Sequence, residues 1–321
     1  MDTNLLTENL LSPVVLCFLL GVVAKFVRSD LSVPESIYQG LSIYLLLAIG
    51  LKGGSVLAVT PPSELWKPAV VAVALGVVTP LSTWFAMRGI GRLGKVDAAA
   101  VAAHYGSVSV VTFLAAIEGV RLVGWEADGF MPALVALMEV PGIIVALMLA
   151  RQGAAEGDGH WGEAFREVFV GKSILLLMGG LVIGYLSGPV RLGEVEPFFK
   201  SAFKGALCLF MIELGLVTGQ RLPDVARAGW RLVLLGCLIP VVHGALGVAL
   251  GVAAGLQPGG AAILGALTGS ASYIAAPAAV RVALPHANAG YCLTMALGIT
   301  FPFNLALGIP LYIAMARWWA T

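Results

Sequence analysis

Apolar residues in this chain do not keep to one helical face. They fill whole stretches of about 20 residues, separated by short polar or glycine–proline turns. At ~1.5 Å per helical residue, such a stretch crosses the ~30 Å hydrocarbon layer. Ten of them are predicted, at approximately 8–27, 36–59, 68–88, 98–118, 130–150, 173–189, 198–219, 231–254, 260–282 and 290–316. One long polar connection, Arg151 to Ser173, divides them five and five. The expected fold is therefore an all-α polytopic membrane protein: residues 1–150 carry the first five transmembrane helices, 151–173 the connection and 174–321 the second five.

Composition agrees. The 321 residues are 59% hydrophobic and 12% charged, with mean hydropathy +0.94, against about 25% charged in soluble domains. A net charge of +1 offers no surface for nucleic acid. The N-terminus lacks the basic start and small-residue cleavage site of a secretory signal, so it reads as a retained first helix. The four cysteines lie in apolar runs without metal-ligand spacing and read as small core residues. With the N-terminus outside, the inner face collects twelve basic residues, among them Lys25, Arg28, Arg88 and Arg227, against seven elsewhere. That bias places both termini outside.

Two apolar runs are interrupted by glycine and hydroxyls: "GSVSVVT" from Gly106 and "GSASYIAAP" from Gly269. They belong to an internal repeat. "AIGLKGG" (48–54) resembles "ELGLVTG" (213–219), "GSVS" (106–109) resembles "GSAS" (269–272), and "EVPGIIVAL" from Glu139 resembles "TFPFNLALG" from Thr300, in the same order and at nearly constant offset. With five spans per half the copies face opposite ways, an inverted repeat of the kind secondary transporters use around midplane sites.

A helix opened at Gly106 or Gly269 bares amides at one broken end, suited to an anion, and carbonyls at the other, suited to sodium. Ser107, Ser109 and Thr112 are the side-chain candidates in the first motif; Ser270, Ser272 and Tyr273 are those in the second, with Thr268 before it and Pro277 after. The plainer alternative is helix packing, with small residues allowing close approach and hydroxyls bonding back to their own helix.

Ionisable groups inside spans are costly and usually paired or functional. Glu139 precedes Pro141 in span 5; Lys52 and Glu213 lie on repeat-related helices, where an ion pair, a transport role and separate snorkelling all remain open. His104 and His243 read first as hydrogen-bonded packing residues, and Asn304 as a polar contact to the core or to a neighbouring helix. Enzyme motifs such as a nucleophile elbow, H-E-x-x-H or a phosphate-cradling loop do not occur. The chain reads as a non-enzyme without a cofactor.

The segments "IGLKGG", "GSVSVVTFLAA", "MEVPGIIVAL", "GSASYIAAPAAVRVALPHAN" and "LGIPLYIAMA" together resemble the sodium-dependent bicarbonate transporters of the cyanobacterial SbtA type. The likeness covers nearly the whole chain in order. It implies a five-plus-five inverted repeat with a gate domain from spans 1, 2, 6 and 7 and a core domain from spans 3–5 and 8–10. It further implies elevator-like symport of bicarbonate with sodium, a homotrimer in a bacterial inner membrane, and a PII-like regulatory protein on the cytoplasmic side. On this chain the binding positions fall on Gly106, Ser107, Val108, Ser109 and Thr112 and on Gly269, Ser270, Ala271, Ser272 and Tyr273, with sodium near Ser109, Thr112 and Ser272. Tyr273 stands where the family pattern has an aspartate, and "AAPA" replaces a Gly-Pro-Pro turn. The residues leave two other readings open: a carrier of another small anion or carboxylate, coupled to protons through Glu139 or Glu213, and a non-transporting membrane sensor.

Overall fold

A computed structural model describes residues 3–151 and 161–320, and every regular element among them is helical. Among the described residues eight helical spans are long and apolar enough to cross a membrane: α3 (Glu35–Leu57), α4 (Pro62–Gly89), the consecutive pair α5 (Lys95–Gly106) and α6 (Val110–Leu122), α7 (Met131–Arg151), α9 (Lys172–Leu192), α11 (Phe203–Ala228), α12 (Trp230–Ala253) and a final helix, Ala289–Trp319. Two further apolar helices, α2 (Pro13–Phe26) and α13 (Pro258–Thr268), are shorter, and α13 is followed by α14 (Ala275–Ala283). The chain is an all-α polytopic membrane protein. The final helix starts as α15 (Ala289–Leu293) and ends as α17 (Ile309–Ala320); between them it widens into π-helical turns at Thr294–Thr300 and Asn304–Gly308 around α16 (Phe301–Phe303).

Some boundaries differ from those the hydropathy predicts. Helix already begins at Thr3, as α1 (Thr3–Leu10), and restarts at α2, where Ser12 caps the Val15 amide and Pro13 occupies the first turn. Residues 196–201 form a separate short helix, α10 (Glu196–Ser201). α11 then runs to Ala228, nine residues past the apolar stretch, and along this extension Arg221 and Arg227 both reach Asp224, at 3.6 and 3.7 Å. Within the polar connection, 152–160 lie outside the described residues, and Trp161–Val170 form a helix, α8, that packs on α14 and α9. The chain ends, whose side of the membrane was predicted, also lie outside the described residues.

Packing divides the helices into two groups. In the first, α2 lies against α11 and α3 against α9. Both contacts are backbone on backbone: a Cβ on Gly21 would sit 2.1 Å from the Ile212 carbonyl, and one on Gly54 2.0 Å from that of Leu181. Only glycine permits such an approach. In the second group α4, α5 and α7 pack mutually, as do α12, α13 and α17. The α5–α6 pair is innermost. Of its most apolar 18-residue window 94% is buried within the protein, against 33% for the lipid-facing α9. Irregular backbone at membrane depth requires such cover.

Candidate functional site

Both glycine–hydroxyl motifs open their helices. α5 ends at Gly106; Ser107 and Ser109 are extended (φ −93°, ψ 142° and φ −96°, ψ 112°), and α6 restarts at Val110 with Ser109 Oγ accepting the Thr112 amide at 3.2 Å. α13 ends at Thr268, residues 269–274 are irregular, and α14 starts after Ile274. Glycine at each break serves close approach. A Cβ on Gly106 would lie 2.8 Å from Pro80 Cβ and 2.9 Å from the Gly142 carbonyl; on Gly269 it would lie 2.5 Å from the Tyr312 hydroxyl and 2.6 Å from the Pro240 carbonyl.

The breaks meet and bond to each other. The Ser109 amide donates to Ser270 Oγ at 2.8 Å, and the Ser272 amide donates to the carbonyls of His104 and Ser107 at 2.6 and 3.2 Å. Ser270 Oγ donates in turn to the Leu267 carbonyl at 2.7 Å. α6 and α14 thus begin at the crossing with first-turn amides, and α5 and α13 end there with carbonyls, so positive and negative dipole ends converge. Gly106, Ser107, Val108, Ser109, Thr112, Gly269, Ser270, Ala271, Ser272 and Tyr273 are all buried. Two hydroxyls among them have no hydrogen-bond partner, Ser107 Oγ and Tyr273 Oη; the tyrosine turns toward Ser109 without reaching bonding geometry, its ring edge-on to Phe301 at 5.7 Å. A small cavity of ≈ 10 Å³, room for about one water, adjoins the crossing; Val110, Val111 and Ile274 line it opposite Ser42, Leu45 and Phe210 of the other helix group.

The remaining candidates are spread out. Glu139 on α7 is 1% exposed, and its Oε2 has no partner. His104 bonds the Ala100 carbonyl through Nδ1 at 2.8 Å and leaves Nε2 unbonded; His243 Nε2 meets Ser82 Oγ at 2.7 Å. Lys52 and Glu213 do not pair: Lys52 is exposed among Arg121, Lys200, Glu196 and Glu118, whereas Glu213 faces Glu35. Asn304 makes both contacts it could. Its Nδ2 donates to the Gly269 carbonyl at 2.8 Å, and its Oδ1 accepts from Tyr312 at 2.9 Å.

Three bonding elements have no counterpart in the sequence reading. Tyr105 Oη meets Thr300 Oγ1 at 2.5 Å, and Thr300 donates on to the Gly236 carbonyl at 2.7 Å. Asp97 accepts the Asn288 amide at 2.8 Å, and Asp128 accepts the Gln257 amide at 3.2 Å. A signal for the aspartates was present: each lies near the start of a helix, beside a glycine-containing turn. Burial holds the Asp128 carboxyl above its ordinary range.

Helices of this length and apolarity, enclosing a dipole-lined crossing of two broken spans, define a multi-pass membrane protein built like a carrier. The chain belongs to the Na+-dependent bicarbonate transporter superfamily, whose family model matches residues 13–317. A search of curated proteins returns no match.

Proposed function

We propose that this protein is a secondary active symporter that takes up a small inorganic anion, bicarbonate first, driven by sodium. The observation that carries the reading is the reciprocal bonding of the two breaks, Ser109 N to Ser270 and Ser272 N to Ser107. It brings two half-helix amide ends and the unpartnered Ser107 hydroxyl to one buried point. In this reading Ser107, Ser109, Ser270, Ser272 and nearby amides replace the water around the anion. Sodium binds close by, on carbonyls and the hydroxyls of Ser109, Thr112 and Ser272, and offsets the anion's charge, so the loaded carrier crosses the low-dielectric layer at lower cost. Coupling then requires only that the bound ions favour one position of the core over the other.

The repeat supports this reading. Asp97 and Gln257, and likewise Asp128 and Asn288, are 160 positions apart, so the two aspartate-to-amide bonds are mates with the carboxylate on opposite members. Pro80 beside Gly106 and Pro240 beside Gly269 are also 160 apart. These pairs favour ten crossings in a five-plus-five inverted repeat, with α1–α2, α3, α9 and α11 as the gate and the remaining spans as a core that moves elevator-fashion against it. The homotrimer and the cytoplasmic regulatory partner follow from the family likeness alone.

Sodium-dependent flux in liposomes, screened across bicarbonate and small carboxylates, tests the reading, with Ser109→Ala and Ser272→Ala as site variants. Unchanged flux in both variants removes the site assignment. The isolated carboxyl of Glu139 favours a second reading, proton coupling; sodium-independent uptake abolished by Glu139→Gln would establish it.

A further inference from the structure

A second cleft lies away from the crossing, where α2 ends against the side of α11. Its volume is ≈ 710 Å³, and Lys25, Phe26, Arg28, Gly219, Leu222 and Pro223 are among its lining residues. The geometry follows from unequal helix lengths. α2 stops at Phe26 while α11 continues to Ala228, so the last turns of α11 extend past the point where the Lys25 stem crosses Gly219. Arg28 takes a left-handed conformation (φ 57°) and turns the chain away, with the Ser29 amide bonded to the Ala24 carbonyl at 2.9 Å.

The cleft therefore has an apolar floor of Phe26, Leu222 and Pro223 under two cations. Neither Lys25 nor Arg28 is in an ion pair among the described residues; Asp224 is taken by Arg221 and Arg227. The depth is marked by Trp230, which is 68% exposed and lies 5.4 Å beneath the Arg231 guanidinium, an arrangement typical of a membrane–water interface. We propose that this cleft binds the phosphate of an anionic phospholipid on Lys25 and Arg28, with the start of an acyl chain on the apolar floor. The floor argues for a lipid over free phosphate, which needs no apolar surface, and two unpaired cations argue for a net negative headgroup.

Native mass spectrometry of the full chain with phosphatidylglycerol or phosphatidylcholine tests this. Phosphatidylglycerol should bind in preference, and Lys25→Gln with Arg28→Gln should weaken it about thirty-fold, each charge contributing about five-fold. The charge-keeping swap Lys25→Arg with Arg28→Lys should retain binding, as should Lys67→Gln with Arg191→Gln elsewhere on the surface. Circular dichroism checks that each variant is folded. Equal binding of the two lipids, equal loss in the distant control, or displacement of the lipid by inorganic phosphate alone would overturn the proposal.

Discussion

The two helix breaks share a sequence motif and a place at the crossing, yet they are built differently. The first is short: three non-helical residues, 107–109, and a restart fixed by the Ser109 side chain. The second runs over six residues, 269–274, and α14 restarts without a side-chain cap at Ile274; the nearest substitute, Ser272 Oγ to the Ala276 amide, is 3.5 Å long. The helix behind the first break, α7, is regular despite Pro141, whereas the helix behind the second widens into π-helical turns and supplies Asn304 and Tyr312 as braces. Shared architecture thus leaves local stability free to differ. The first break is held by its own cap, the second by side chains from a neighbouring helix.

Substitutions can separate the two. The largest contrast is expected at the glycines. Gly269→Ala pushes a methyl into Tyr312 and the Pro240 carbonyl and should cost about 3 kcal/mol, while Gly106→Ala, whose methyl meets Pro80 and the Gly142 carbonyl at slightly longer range, should cost about 2 kcal/mol. Thermal unfolding of the solubilised protein measures both, and equal losses would erase the distinction. Next, Asn304→Leu strands the buried Gly269 carbonyl and should cost about 2 kcal/mol, with Tyr312→Phe nearer 1 kcal/mol. Both should loosen amide exchange at 269–274 and leave 107–109 protected.

A smaller pair sharpens the division between folding and transport. Ser109→Ala removes a helix cap and should cost about 1 kcal/mol, whereas Ser272→Ala should cost only a few tenths. If both serines touch the transported ions, flux falls in both variants although stability falls in one. The smallest effect is expected at the aspartates that close the two ends. Because burial raises the folded-state pKa of Asp128, its contribution to stability is fullest below the ordinary carboxylate pKa and is lost as pH rises through the folded value. Asp128→Asn should flatten the decline of the melting temperature as pH rises above the ordinary carboxylate pKa of about 4.

Much of this was legible before any coordinates. Spans of near-uniform apolarity name themselves, and glycine beside serine inside them marks where the helices open. The pairing of the breaks was not legible, because Ser109 finds Ser270 through a crossing of two helices that local pattern does not encode. The extension of α11 past Gly219 was hidden for a different reason: charged residues continued a helix after hydropathy had ended it. Lys52 and Glu213 misled as a possible pair because a likeness of sequence position does not fix where the side chains end: Lys52 lies among Arg121, Lys200, Glu196 and Glu118, and Glu213 faces Glu35.

Ser109 and Ser270 are 161 residues apart in the chain. At a ribosome delivering about 5–20 residues per second, the first break waits roughly ten to thirty seconds for its partner. Throughout that interval the Ser109 amide needs water or another protein as a stand-in acceptor, because hydrocarbon supplies none. Assembly of the helices around the first break is therefore provisional until the last third of the chain has been made.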